Sequence, residues 1–425
     1  MIDLMQKIIS DLWFEKRNIV SDGFDNSLKY ISKILPISII EIPTGTECWT
    51  WIVPPKWSVS EGWIRSCNKK YLDLVDHPLH ILSYSQPVKM KISKDELMAN
   101  IYTDPSRPDS IPYRYSYYEK KWGFCLQHNK ISNFKDEEYE VYIDSHFSSG
   151  TLKIGEFVIP GKLKKEIVLI AHLCHPCMAN DNLSGVAVLV AIAKELMGQE
   201  MNKYTYRFLF VPETIGSIAY LSQNEHLIEN IKYGIVVDCV GHNDILSFQY
   251  SKQATTELDI CARYVLQDEG ILFREGPINK VCVSDELVFN GPGVGIPTIS
   301  ISRFKFWSSG ELPYPEYHSS DDTPDIIHLE KLIETKKVVL KILEILNSNF
   351  IPKRNFRGPV FLSRYGLWVD WRENRKLNST LDNLMFYLEG DKSILEIAKE
   401  LEIPYNELYI LFDRLEKSNL IKKIN

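Results

Sequence analysis

Six side chains capable of metal or proton chemistry stand where apolar runs of this chain give out. His172 follows EIVLIA, His175 comes soon after it, and Asp181 lies in the turn MANDNLSG that opens a helical stretch; Glu213 follows YRFLFVP, Asp238 follows YGIVV, and His318 stands far downstream in YHSSDDT. Histidines and carboxylates are the ligands of a hydrolytic zinc ion, or of a pair of such ions sharing one aspartate. A further carboxylate is needed to take a proton from the attacking water. Each residue also has a plainer reading: Asp181 as the N-cap of the helix it precedes, Glu213 as a surface acid, the histidines as hydrogen-bonded core groups. Their convergence at strand ends favours the metal. Cys174-His-Pro-Cys177 has the spacing of a redox dithiol or half a zinc clamp, but no second Cys-x-x-Cys exists to complete a four-sulfur site.

Positioning such groups takes a sheet. From about residue 165 to 350, apolar strands (EIVLIAHL, YRFLFVPE, YGIVVDCVG, IPTISIS) alternate with helical stretches such as SGVAVLVAIAKELM. Continuous apolar strands between helices predict an α/β fold with a mixed, mostly parallel sheet covered on both faces, in which active groups gather where strands end in loops. Residues 1–50 read as two helices and a short strand of the same domain, and 51–160 as a β-rich insert dense in Trp and Tyr, whose rings are read as core and interface packing. Residues 161–352 form the metal-binding domain. Residues 353–425 form a linker and a small helical unit, in which Ser393-Ile-Leu-Glu396 is a capping box and Leu408, Leu411, Phe412 and Leu415 share a helix face. A capped helix, a turn and a second amphipathic helix predict a winged-helix-like unit.

The order and surroundings of the six residues resemble the co-catalytic zinc exopeptidases of the aminopeptidase and glutamate-carboxypeptidase superfamily, over about 165–345. The resemblance implies that His172 is the first zinc histidine, Asp181 in NDNLSG the bridging aspartate, Asp238 in VVDCVG the third ligand and His318 the distal histidine, with Asp322 in support. SDELVF (284–289) and GIPTISIS (295–302) resemble the family's substrate-side loop and closing strand. The whole chain resembles a bacterial group of aminopeptidase-like proteins with a β-rich insert and a C-terminal winged-helix domain. Two positions depart from the family pattern. Cys174 stands where the family has an aspartate that steadies the first histidine, leaving His175 as a candidate helper. Pro212-Glu213-Thr214 stands where it has adjacent glutamates, the first a base and the second a ligand. The ungapped register makes Glu213 the base and leaves Thr214 in the ligand's place; a shift of one makes Glu213 the ligand and leaves no base.

The 425 residues carry 49 Lys and Arg against 56 Asp and Glu, a net of −7, which gives no field to draw the protein onto nucleic acid or an anionic membrane. Residues 371–425 hold nine basic and ten acidic side chains, so docking or contacts between copies suit this tail better than DNA. No signal peptide or long apolar span is read from the sequence, and a cytoplasmic location is expected. Eight cysteines are too dilute for a disulfide scaffold and are expected to be free thiols. The expected function is that of a zinc-dependent, aminopeptidase-like hydrolase with one or two Zn²⁺ ions, cleaving an amide of a peptide or small amino-acyl substrate, with Arg303 and Tyr317 candidates for gripping its carboxylate or oxyanion. The alternatives are a catalytically silent metal-binding or regulatory protein, and an amidase or deacylase acting on a modified sugar or other small molecule.

Overall fold

The computed structural model describes residues 2–67, 69–198 and 202–424. The chain divides into two compact units, Met1–Thr256 with Leu272–Lys337, and Glu257–Ile271 with Val338–Asn425. The larger unit is built on an eight-stranded sheet in the order Ser38–Pro43, Thr151–Ile159, Thr205–Val211, Glu166–His172, Ile231–Asp238, Thr298–Ser302, Leu246–Gln249, Phe273–Gly276. The strand ending at His172 is parallel to both neighbours, and the strand ending at Asp238 is parallel to Thr298–Ser302 as well. Antiparallel pairs occur toward the two sides of the sheet. Every residue of Glu166–His172 is buried, which is why this strand shows no polar alternation: helices and loops cover both of its faces. The fold is the mixed, mostly parallel α/β sheet expected.

Register brings the chemistry to one edge. His172 pairs with Val211, and Asp238 with Ser302, so the chain leaves the sheet at His172, at Asp238 and two residues before Glu213 along a single border. The helix Gly185–Leu196, buried at all but Lys194 and Glu195, covers the sheet beside them. A Cβ on Gly185 would lie 2.3 Å from the Val237 carbonyl oxygen, so only glycine lets the helix start this close to the Asp238 strand.

The β-rich insert is a four-stranded antiparallel sheet in the order Lys69–Asp73, Lys56–Ser66, Glu138–Ser148, Val88–Ser93. Along Glu138–Ser148, Tyr139, Val141, Ile143 and Ser145 are buried while most residues between them face outward, the period of two of a strand with one packed face. Thr151–Ile159 pairs in the central sheet, so this insert sheet ends at Ser148, short of the expected residue 160.

Arg207 is the main ionic tie within the central sheet. Its guanidinium donates to both oxygens of Glu166 at 2.6 and 2.9 Å and to Glu156 Oε1 at 2.5 Å. Arg207→Met would leave two carboxylates facing each other in a largely buried place, a loss of about 3–5 kcal/mol. The expected result is a clear fall in Tm by calorimetry, with Arg207→Lys recovering only part of it because an ammonium cannot form the two-pronged pair.

In the smaller unit the capping box is present, with Ser393 Oγ accepting from the Glu396 N–H and Glu396 accepting from the Ser393 N–H. Leu408, Leu411, Phe412 and Leu415 are the buried face of Tyr405–Lys417, and Ile351–Arg354 pairs antiparallel with Ile421–Ile424. Among the described residues no helix is long and apolar enough to cross a membrane.

Candidate metal centre

The segment carrying Asp181 is held by its own neighbours. Asn182 Oδ1 accepts from the N–H groups of Gly185 (3.0 Å) and Cys239 (2.9 Å), and its Nδ2 donates to the Val237 carbonyl. Asn180 Oδ1 accepts from the Gly241 N–H, and Ser184 Oγ from the Val240 N–H. The polar residues of NDNLSG thus lash the helix start to the end of the Asp238 strand and leave Asp181 free for another task. Its backbone, at φ −100° and ψ +100°, is not helical, and the capping bond to Gly185 belongs to Asn182, not Asp181. From the far side Asp322 accepts from the N–H groups of Ala179, Asn180 and Asp181 and from the Tyr314 hydroxyl, the supporting place expected of it.

The Asp181 carboxylate points at histidines with both oxygens. Oδ1 lies 2.8 Å from His172 Nε2 and 3.5 Å from His175 Nδ1, while Oδ2 lies 3.0 Å from His318 Nε2. Asp181, Asp238 and Cys239 can each bring one ligand atom within 4.8 Å of the others, as can His172, His175 and Asp181. His175 Nε2 is 3.7 Å from Glu213 Oε2. His172, Asp181, Glu213, Asp238, Cys239 and His318 form the floor of a cavity of ≈ 450 Å³ walled by Tyr113, Arg114, Tyr115, Trp307 and Tyr317, with His175 buried behind it. The site therefore contains His172, Asp181, Glu213, Asp238 and His318 together.

Charge at the floor is unbalanced. Burial would raise the Asp181 carboxyl, but His175, His172 and His318 hold it well below the usual carboxylate range. Burial raises Asp238, with Asp181 adding repulsion, and pushes Glu213 up to about 8 against the pull of His172. Burial and the neighbouring His318, His172 and Arg17 bring His175 down to about 3. A cation at the floor would relieve the crowded acids.

Several buried atoms support that cation. His172 Nδ1, Asp181 Oδ2, Asp238 Oδ1, Asp285 Oδ2 and His318 Nε2 lie out of water's reach without a hydrogen-bond partner; the 3.0 Å approach of His318 to Asp181 lacks hydrogen-bond alignment. Buried polar atoms are otherwise paired, and clustered exceptions call for an ion or water. Imidazole and carboxylate donors are the set that suits zinc, so these residues fit a metal.

Other expectations fare differently. Tyr317 lines the cavity and stacks on His318 at 3.9 Å between ring centroids. Arg303 does not line it: its side chain is 1% exposed and bound to the Asp244 carbonyl and the Glu334 carboxylate, because it follows a central strand into the core. The cavity's arginine is Arg114, from the insert. Cys174 Sγ accepts from the Glu213 N–H at 3.2 Å and Cys177 Sγ donates to the Phe14 carbonyl, so the two thiols of the Cys-x-x-Cys pair serve separate backbone partners.

Asp285 was not foreseen as a site residue. It is fully buried, accepts from the Thr214 N–H (2.9 Å) and the Ser217 hydroxyl (2.7 Å), and sets its second oxygen 4.0 Å from His172 Nδ1. Two adjacent acids opening the apolar run of SDELVF were the available signal.

Residues 6–349 match the family described as a domain of unknown function, DUF4910. A Clostridium acetobutylicum protein, provisionally described as a polysaccharide biosynthesis protein with an aminopeptidase-like domain, is 34% identical over 98% of this chain and 95% of its own length. A crystal structure from the same organism, provisionally described as a peptidase, superposes with a TM-score of 0.88 at 32% identity over 100% of this chain and 96% of that one. A zinc aminopeptidase from Bacillus subtilis superposes with a TM-score of 0.62 at 15% identity, over 81% of this chain and 94% of its own. At that identity the likeness is one of fold.

Proposed function

We propose, for a chain that belongs to the DUF4910 family and has the aminopeptidase-like fold, a metal-dependent hydrolase that cleaves an amide of a peptide or small amino-acyl compound. The observation that carries this reading is the Asp181 carboxylate between His172 and His318, with Asp238 and Glu213 beside it at the floor of a cavity. His172, Asp181, Asp238 and His318 would hold one or two zinc ions, which when bound supply a Lewis acid for the scissile carbonyl and make a water easier to deprotonate. Glu213 takes the proton from the attacking water and gives it to the departing amine. Cys174 fixes the Glu213 backbone, and the Tyr317 ring fixes the His318 imidazole. The walls of Tyr113, Tyr115 and Trp307 offer flat apolar faces to the substrate.

A second reading, hydrolysis of an N-acyl group on a sugar, is favoured by the name of the Clostridium relative and by the same aromatic walls. For the smaller unit we propose a winged-helix-like docking module for a partner or a second copy of the chain.

Metal per chain, measured by elemental mass spectrometry on protein purified without added metal or chelator, is expected to lie between about one and two zinc ions, as a mono- or dinuclear hydrolase site holds. The same protein assayed on amino-acid anilides and on N-acetylated amino sugars separates the two readings. Turnover of several anilides supports the peptidase, and turnover of the sugars alone supports the deacylase. No metal even after zinc addition would leave a silent binding protein.

A further inference from the structure

Thr214 stands where the resembled family has a carboxylate ligand, and it is bound elsewhere: its φ is +60° and its N–H donates to Asp285 Oδ1. His175 stands beside Glu213, its Nε2 3.7 Å from Glu213 Oε2. Its φ is +85°, a region that costs a residue with a side chain about 1–3 kcal/mol and persists where the surroundings enforce it. The conformation turns the ring inward, 4% exposed, with Nδ1 3.5 Å from Asp181 Oδ1 and its centroid 5.1 Å from that of His172 and 4.9 Å from that of His318. Ligand atoms of His172, His175 and Asp181 all fall within 4.8 Å of one another. Zinc ligands at ~2.0–2.1 Å in a tetrahedral shell stand roughly 3.4 Å apart, so a small inward movement gathers all three on one ion.

His172 can give only one nitrogen to that ion. Nε2 faces Asp181, whereas Nδ1 faces Asp285 Oδ2 at 4.0 Å, and both of the latter atoms are buried without a hydrogen-bond partner. A carboxylate behind the ring is the usual way to fix a ligating imidazole. Asp285 thus stands behind the first histidine, the service that Cys174 cannot give, and His175 is left free to ligate.

Resting on the reading above as a metal-dependent hydrolase, we propose that His175 is a metal ligand. His175 then joins His172 and Asp181 in the ligand set, making up for the carboxylate that Thr214 lacks, and Asp238 and His318 complete the site around the shared Asp181. Replacing a carboxylate by a neutral imidazole removes one negative charge from the ligand set and favours zinc over hard ions such as Mn²⁺ or Mg²⁺.

The test is zinc-edge X-ray absorption on the full-length wild type loaded with zinc, together with the metal content of His175→Ala and His175→Gln at a fixed, chelator-buffered free zinc. Three imidazoles over two ions, about 1.5 per zinc at the Zn–N distance of ~2.0–2.1 Å, are expected. Both variants should lose one equivalent, and their metal-free forms should melt within about 1 °C of the metal-free wild type, a difference of about 1 kcal/mol for a chain of this size. One imidazole per zinc in the wild type, or wild-type metal content in both variants, would overturn the proposal. The wild-type absorption measurement decides it even where a variant does not fold. A wild type that takes up no zinc overturns the hydrolase reading itself; two zincs with one imidazole each overturn only the role of His175.

Discussion

Glu213→Gln is expected to reduce kcat by about 10²–10⁴-fold, the range that removal of a general base covers, and to leave the metal content of the chain at the wild-type value. The amide keeps the volume of the side chain and its place beside His175 but cannot accept a proton. Glu213 stands at the end of a strand whose backbone N–H is tied to Cys174 Sγ, and its Oε2 is 3.7 Å from the nearest histidine nitrogen, so the substitution disturbs little else. Single-turnover kinetics and elemental analysis on the same preparation check it. Loss of metal along with activity would instead make Glu213 a ligand, the other register that Pro212-Glu213-Thr214 allows, and the base would have to be sought elsewhere.

Asp181→Asn should have the larger effect on the metal. Its two carboxylate oxygens face different histidines, Oδ1 toward His172 and Oδ2 toward His318. An amide has one oxygen and one donor nitrogen, so at most one side of the pair is kept. Loss of a shared ligand weakens both positions together. The expected result is less than about a tenth of the wild-type zinc at equal free metal, equivalent to a loss of at least about 1.4 kcal/mol per ion, and no measurable turnover. Asp238→Asn, which removes a ligand that is not shared, should lose at most one equivalent. Equal losses in the two variants would show that Asp181 is not shared.

Much of this arrangement is legible in the sequence because parallel strands advertise themselves. EIVLIA, YRFLFV and YGIVV are apolar on both faces, and the first polar residue after such a run is almost bound to stand at the sheet edge where loops meet. His172, Glu213 and Asp238 were found that way. His318 and Asp322 lie in an irregular loop with no period to mark them, and only the resemblance of YHSSDDT to a family pattern located them. The identification of Arg303 as a pocket residue failed because a residue just past a strand can turn either to the cavity or back into the core, and a nearby acid, Glu334, drew it inward. Arg114 and the tyrosines beside it escaped because they reach the site from a separate β-rich segment, and no local pattern tells which loop of an insert will fold over a distant edge. Asp285 was hidden for a related reason: its acid reads as helix-start decoration, and only three-dimensional packing sets it behind His172.

The loop bearing His318 is fastened to the insert and not only to the sheet. The Tyr113 N–H donates to the His318 carbonyl at 2.8 Å, and Ser320 and Ile111 exchange bonds on either side, N–H to carbonyl and N–H to Oγ. A chimera that took residues 51–150 from a relative would therefore bring new aromatic walls and also re-hang one histidine of the floor. On the proposed reading, recognition of a substrate and binding of the metal would be mechanically geared through this loop. A change at the rim would then pass to His318 through the three backbone N–H groups at 111, 113 and 320.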